Sequence, residues 1–172
     1  MRQWLEQSVR THLIPAFVER GFSMRMPPRG DDDLPPWGRL SRVRESGITD
    51  LVDTQFSSHG RAAFRINACA VPKEGLRTVA GRRMAEGLEA GGLHAHFETR
   101  ARPWLRAVPV VSAFADWFSV WPRPFRTRTQ RDYDELVLSI VSVIIEIDIA
   151  LREGTSGSHI RHVVFPEKAL ME

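Results

Sequence analysis

From Thr129 to Gly154, apolar residues return every three or four positions. Leu136, Val137, Ile140, Val143, Ile144, Ile147 and Leu151 fall on one side, with Glu135, Ser139, Ser142, Glu146 and Glu153 on the other. This spacing predicts an amphipathic helix; a strand over the same run would far exceed the usual ~3–10 residues. Thr129 and Asp132 have the spacing of a capping box, Arg152 lies toward the negative end of the helix dipole, and Gly154 can close the helix in the left-handed conformation. Leu138, Ile145 and Ile149 widen the apolar face. The helix is therefore expected to be covered on more than one side, by a sheet and another helix or by a second subunit.

The start of the chain carries the same period. Trp4, Leu5, Val9, Leu13, Ala16 and Phe17 predict a helix over Arg2–Arg20, kinked at Pro15 and stopped by Gly21. Residues 24–38, with two Pro-Pro pairs, read as loop. The period then changes to two. Arg39–Glu45 and Ile48–Phe56 read as strands joined by Ser46-Gly47, and after a turn over Ser57–Gly60 a third runs over Arg61–Val71. In that third run Ala62, Phe64, Ile66 and Ala68 alternate with Arg61, Ala63, Arg65 and Asn67, as in a half-buried strand of an antiparallel meander. Leu76, Ala80, Met84 and Leu88 suggest a weaker helix over Leu76–Gly92, interrupted by Gly81 and Gly87. A fourth strand is expected over Leu93–Arg102 and a fifth over Ala115–Val120. The fold expected is α+β: an antiparallel β-meander sheet of about five strands, with the N- and C-terminal helices packed on one face. Residues 1–154 are read as a single domain and 155–172 as a C-terminal arm that could dock as a short strand.

Composition narrows the setting. A chain of 172 residues can bury a core without disulfides or metal. Its single cysteine, Cys69, excludes an internal disulfide and suits a reducing compartment. MRQWLEQSVR lacks the apolar run of a signal peptide, and Glu146 and Asp148 interrupt the longest apolar stretch, so a cytoplasmic location without membrane insertion is expected. The net charge of +3 is too small to imply nucleic acid by itself.

Two segments, LIPAFVERGF (Leu13–Phe22) and TQFSSHGRAAFRINACAV (Thr54–Val71), resemble an uncharacterised bacterial family, the domain of unknown function numbered 4304. Its pattern is a helix ending near Gly-Phe, a short strand, then a Gln-Ser strand and a Phe-x-Ile-Asn strand; Gln55, Ser57, Phe64, Ile66 and Asn67 stand at the matching positions. The likeness covers the chain up to Val71, and the late aromatic segment and final helix more loosely. The loop from Met26 to Pro36 and the middle segment depart from it. It implies a bacterial source, an α+β fold and no known activity, so no catalytic residue is carried over.

Three chemistries have candidates. His94, His96 and Glu98 alternate on the fourth strand and would share a face, as metal ligands require. Asp50, Asp53, His59 and Asp116 are the further donors, and nothing in the sequence places them nearby. The plainer alternative is a polar outer strand face with Glu98 paired to an arginine. The second candidate is a basic and aromatic segment: Arg100, Arg102, Arg106, Arg123, Arg126, Arg128 and Arg131 against Asp116 alone, with Trp104, Trp117 and Trp121 interleaved. Arginine for phosphate and tryptophan for base stacking is the chemistry of single-strand nucleic-acid binding. Here the plainer reading is tryptophans in the core and an ordered loop crossing the sheet. The third is nucleophilic: Cys69 on a strand, with Asn67 on its face and no locatable histidine, and the Ser-His step Ser58-His59, which reads first as a turn. Asp31, Asp32 and Asp33 lack calcium-loop spacing and read as a solvated run.

No P-loop, dinucleotide fingerprint or nucleophile elbow is present, and no cofactor is expected. The favoured reading is a non-catalytic binding or protein-interaction module, whose partner would be a second copy of the chain (a homo-oligomer) or another protein. Nucleic-acid binding through 100–131 comes second, and a metal-dependent enzyme at His94, His96 and Glu98 third.

Overall fold

The structure, a computed structural model, describes residues 1–25, 38–57, 62–78, 81–85, 88, 90, 95–99, 117–120 and 127–164. The first apolar run is a bent helical unit. Helix α1 (Arg2–Ser8) passes through a π-helical turn over Val9–Leu13 into α2 (Ile14–Val18). The kink expected at Pro15 takes this form because the proline has no N–H to donate and its ring crowds the preceding turn, which a wider π turn relieves. Gly21, at a φ of +82°, then redirects the chain into β1 (Ser23–Met24).

Strands β2 (Arg39–Val43), β3 (Thr49–Phe56) and β4 (Ala63–Val71) form the antiparallel meander that the alternation predicts. Strand β7 (Ala95–Thr99) pairs beside β4, and β9 (Ile160–Val164) beside β7. The order is β1-β2-β3-β4-β7-β9, with β8 (Phe118–Ser119) pairing to the start of β4. The sheet therefore has seven strands where about five were expected. The additions are the two-residue β1 and β9, so residues 160–164 of the expected arm join the chain's own sheet. On β9's outer edge Ser156 Oγ accepts the His162 N–H at 3.1 Å, which occupies a backbone donor that an edge strand would otherwise present.

The helix expected over Leu76–Gly92 is corrected. Strands β5 (Leu76–Thr78) and β6 (Gly81–Arg83) form a hairpin there, pairing Thr78 with Gly81. A four-residue apolar spacing with Gly81 and Gly87 inside it gives a helix little to stand on, because each glycine costs about 1 kcal/mol against alanine.

The C-terminal run is two helices, α3 (Gln130–Ile140) and α4 (Val143–Glu153). The Thr129–Asp132 capping box forms and Gly154 closes α4 in the left-handed region. The break at Val141-Ser142 was not expected. Ser139 Oγ donates to the Leu136 carbonyl at 2.6 Å and Ser142 Oγ to that of Ser139 at 3.2 Å. These side chains compete for carbonyls of the helix ladder, and the Val141 and Ile144 amides bond three residues back instead of four.

One face of the sheet meets these helices. Leu40, Val52, Phe56, Phe64, Ile66 and Phe97 pack with Leu13, Phe17, Val137, Ile144 and Ile147, all buried in one cluster. Each such side chain contributes roughly 1.5–3 kcal/mol by leaving water. Buried Asp50 ties α4 to the sheet: it accepts from Arg42 and Arg44, which reach on to Asp148 and to the Leu151 carbonyl. A second clasp joins α4 to the start of β9. Glu146 accepts the His159 N–H at 2.8 Å and lies 2.7 Å from its Nδ1. Gly157 lies close beneath it: a Cβ there would stand 2.5 Å from Glu146 Oε2, so the carboxylate would have to shift. The flank residues Leu138, Ile145 and Ile149 stay 43–53% exposed, so sheet and helices cover the main apolar face and leave its edge open.

Candidate binding site on the polar face of the sheet

Directly opposed residues of neighbouring strands share a sheet face. Register therefore determines what meets on the side away from the helices. Arg39 on β2 faces Asp53 on β3, Asp53 faces Asn67 on β4, Asn67 faces Glu98 on β7, and Glu98 faces Arg161 on β9. The result is one unbroken polar row across five strands. Gln55 and Arg65 form the next pair toward one end, and Leu51 and Cys69 the next toward the other. There the face turns apolar, where Leu51, Cys69 and Val71 pack with Ala85, Leu88 and Ala90.

The row is buried: Arg39, Asp53, Asn67 and Glu98 are each at most 4% exposed, and His96 is 1%. Burying charge is costly unless it is paired. Asp53 Oδ1 accepts from Arg25 Nη2 at 2.7 Å, and its Oδ2 from the Ala90 N–H at 2.6 Å. Burial still pushes the Asp53 carboxyl upward, against the pull of Arg25 and that amide. Glu98 is held more firmly. Oε1 accepts from Arg65 Nη1 at 3.0 Å and lies 3.2 Å from His96 Nε2, and Oε2 accepts from both Nε and Nη2 of Arg161. Burial alone would raise its pKa, but the His96 and Arg161 bonds and the arginine charges outweigh it and lower it to about 2.

Arg25 pairs with Asp53, which Arg39 faces in register and influences through its charge, while Arg65 and Arg161 both pair with Glu98. Among the described residues, four arginines and two acids stand on this face. Gln55 Oε1 accepts from Arg65 Nε at 2.7 Å and Asn67 Nδ2 at 3.2 Å. The Arg65 guanidinium lies over the Trp117 ring at 5.1 Å. Asn67 Oδ1 is buried without a hydrogen-bond partner among the described residues.

The sequence candidates meet this geometry unevenly. His96 and Glu98 share a face, as their alternation predicts, while His94 lies outside the described residues. Of the further donors, Asp53 stands in the same row as Glu98 but two strands away, about 10 Å by strand spacing, with Asn67 between them. Asp50 is on the opposite face, and His59 and Asp116 lie outside the described residues. No group of three metal-ligating side chains occurs among the described residues. Both Glu98 oxygens already serve guanidiniums, so a cation there would have to displace a charged partner.

Of the basic segment, Arg100, Arg102, Arg106, Arg123 and Arg126, with Trp104 and Trp121, lie outside the described residues. Arg128 Nη1 lies 3.8 Å from Met1 Sδ, and exposed Arg131 bonds Glu135 at 2.7 Å. Cys69 is unsuited to attack. Burial, with the field of Asp50 and Asp53, pushes its thiol up to about 12, and the thiolate is the nucleophile. Among the described residues no helix is long and apolar enough to cross a membrane.

The sequence reading missed Arg39, Asp53 and Arg161 as members of one site. Each comes from a different strand, and only register aligns them. No protein-family model, curated protein or solved structure matches the chain.

Proposed function

We propose that the protein is a non-catalytic binding domain and that it binds through the polar face of its sheet. The observation that carries this reading is the set of guanidiniums anchored on the buried carboxylates, Arg25 on Asp53 and Arg65 and Arg161 on Glu98. Such an arrangement holds arginine forks in fixed orientations that an anionic partner can meet. The groups of the face support binding over turnover. Glu98 is locked in its ionised form by charged partners, and the Cys69 thiol is pushed away from its reactive state. General acid–base work favours groups whose pKa lies near the operating pH. We further propose kinship with the domain of unknown function numbered 4304: Gln55 and Asn67, two of the positions that carry the likeness, both belong to this face.

Native mass spectrometry tests the reading on the full chain, purified at low ionic strength and then offered a polar metabolite extract. The expected result is a non-covalently retained mass on the wild type, reduced in Arg161→Gln and released chemically unchanged. A wild type that takes up nothing, equal retention by Arg161→Gln, or chemical alteration of the retained molecule would each overturn it.

A further inference from the structure

We infer that the polar face takes a small molecule bearing an anionic group, carboxylate or phosphate, with a hydroxyl or amine donor close beside it, and that Arg65 and Asn67 read those two features. This rests on the binding-face reading above and names what that face takes. Arg65 and Asn67 are two positions apart on β4 and share its polar face, roughly 7 Å from each other along the strand. One acceptor orients both, because Gln55 Oε1 receives Arg65 Nε–H and Asn67 Nδ2–H.

That shared bond has a consequence for each partner. In a planar amide, N and O lie on opposite sides of the carbon. With Nδ2 turned toward Gln55, Asn67 Oδ1 is turned away from it, and it has no partner although the residue is only 1% exposed. Native structures rarely leave such an acceptor unmatched, and the partner it lacks is a donor. Arg65 presents the complementary need. Its Nε is spent on Gln55 and its Nη1 bonds Glu98, but Nη2 makes no bond among the described residues. Trp117 supports the guanidinium plane, and the side chain is 21% exposed. The outer edge of a fixed guanidinium receives a carboxylate or phosphate oxygen.

A bare anion would satisfy Arg65 alone and leave Asn67 Oδ1 unmatched or facing negative charge. A neutral alcohol or amine would satisfy Asn67 and leave the Nη2 edge of Arg65 unanswered. A molecule with both groups answers both.

The test is an NMR titration of the full chain, following the Arg65 Nε–H and Asn67 Nδ2–H resonances. Two probe pairs are used: L-lactate against propionate, and 2-hydroxyethyl phosphate against ethyl phosphate. Within each pair the anion is kept and the hydroxyl removed. The expected result is that the hydroxyl-bearing member of one pair moves both resonances and binds about tenfold more tightly than its counterpart, because the counterpart leaves a buried acceptor unpaired. The pair that discriminates identifies the anion as carboxylate or phosphate. Asn67→Ala should abolish the discrimination, so that the two members of the pair bind equally.

Equal binding within both pairs, or shifts at Arg65 alone, would overturn the two-point ligand and leave the binding face standing. No shift along Arg39, Asp53, Asn67, Glu98 and Arg161 with any probe would overturn the ligand class. Failure of the metabolite-extract experiment as well would overturn the face itself.

Discussion

Replacing Glu98 by glutamine keeps the side chain's size and removes the charge that Arg65 and Arg161 share. The carboxyl titrates at about 2 in the folded protein against an ordinary 4.5. At ~1.36 kcal/mol per pKa unit, that difference makes ionised Glu98 worth about 3 kcal/mol to the folded state. Its side chain is 6% exposed, so solvent screening takes little away. A carboxyl whose folded pKa is depressed contributes its stability above the unfolded value and loses it as pH falls through the folded one. The loss therefore runs from about pH 4.5 down to about pH 2, and about 2 kcal/mol of it has gone at pH 3.

Glu98→Gln has no such group to protonate. It should be less stable than the wild type by roughly 3 kcal/mol near neutrality, and the gap should close by about 2 kcal/mol on reaching pH 3. Asp53, Asp134 and Glu146 also titrate with perturbed values but are common to both proteins, so they cancel in the difference. Urea unfolding followed by tryptophan fluorescence at several pH values measures the gap directly. A gap that stays constant from neutral pH to pH 3 would refute the linkage and show that Glu98 is not held by its arginines.

Other outcomes follow from single contacts. Cys69 in the native protein should resist alkylation by iodoacetamide near pH 8 and react fully in urea; rapid native labelling would contradict its burial. Ile147→Ala empties a fully buried position and should cost roughly 2–5 kcal/mol in chemical denaturation, whereas Ile145→Ala on the open flank should cost about 0.5 kcal/mol or less, and equal losses would contradict the packing. Gly157→Ala must push Glu146 aside, so hydrogen exchange should rise at His159 and along β9 while α3 keeps its protection; unchanged exchange would mean the clasp does not hold the strand.

How far the sequence discloses this protein depends on what each feature rests on. The meander was legible because Phe64, Ile66 and Ala68 alternate with Arg65 and Asn67, and a period of two fixes which residues share a face. It does not say what covers the second face. Asn67 reads as a polar outward position and is instead buried. The capping box at Thr129 and the glycine stop at Gly154 are local chemistry and are present as read, whereas the break between α3 and α4 turns on Ser139 and Ser142 bonding back to carbonyls, which spacing alone does not reveal. Pairing Glu98 with an arginine was the plain alternative to a metal, and two arginines take that place. Arg65 stands 33 positions before Glu98 on another strand, and Arg161 lies in the segment read as an arm, so neither could be assigned to Glu98 before the register was known.

The bond from Arg161 to Glu98 joins residues 63 positions apart and spans both C-terminal helices. Closing so long a connection is slower than forming the β2–β3–β4 meander, whose turns are local. The hydrophobic face can therefore assemble before the polar row is complete, and the second guanidinium reaches Glu98 only when β9 docks. In refolding, capture of a ligand should lag behind the far-ultraviolet circular-dichroism signal of the helices and meander by the time β9 takes to arrive. Simultaneous appearance of the two signals in stopped-flow would show that strand docking and core formation are one event.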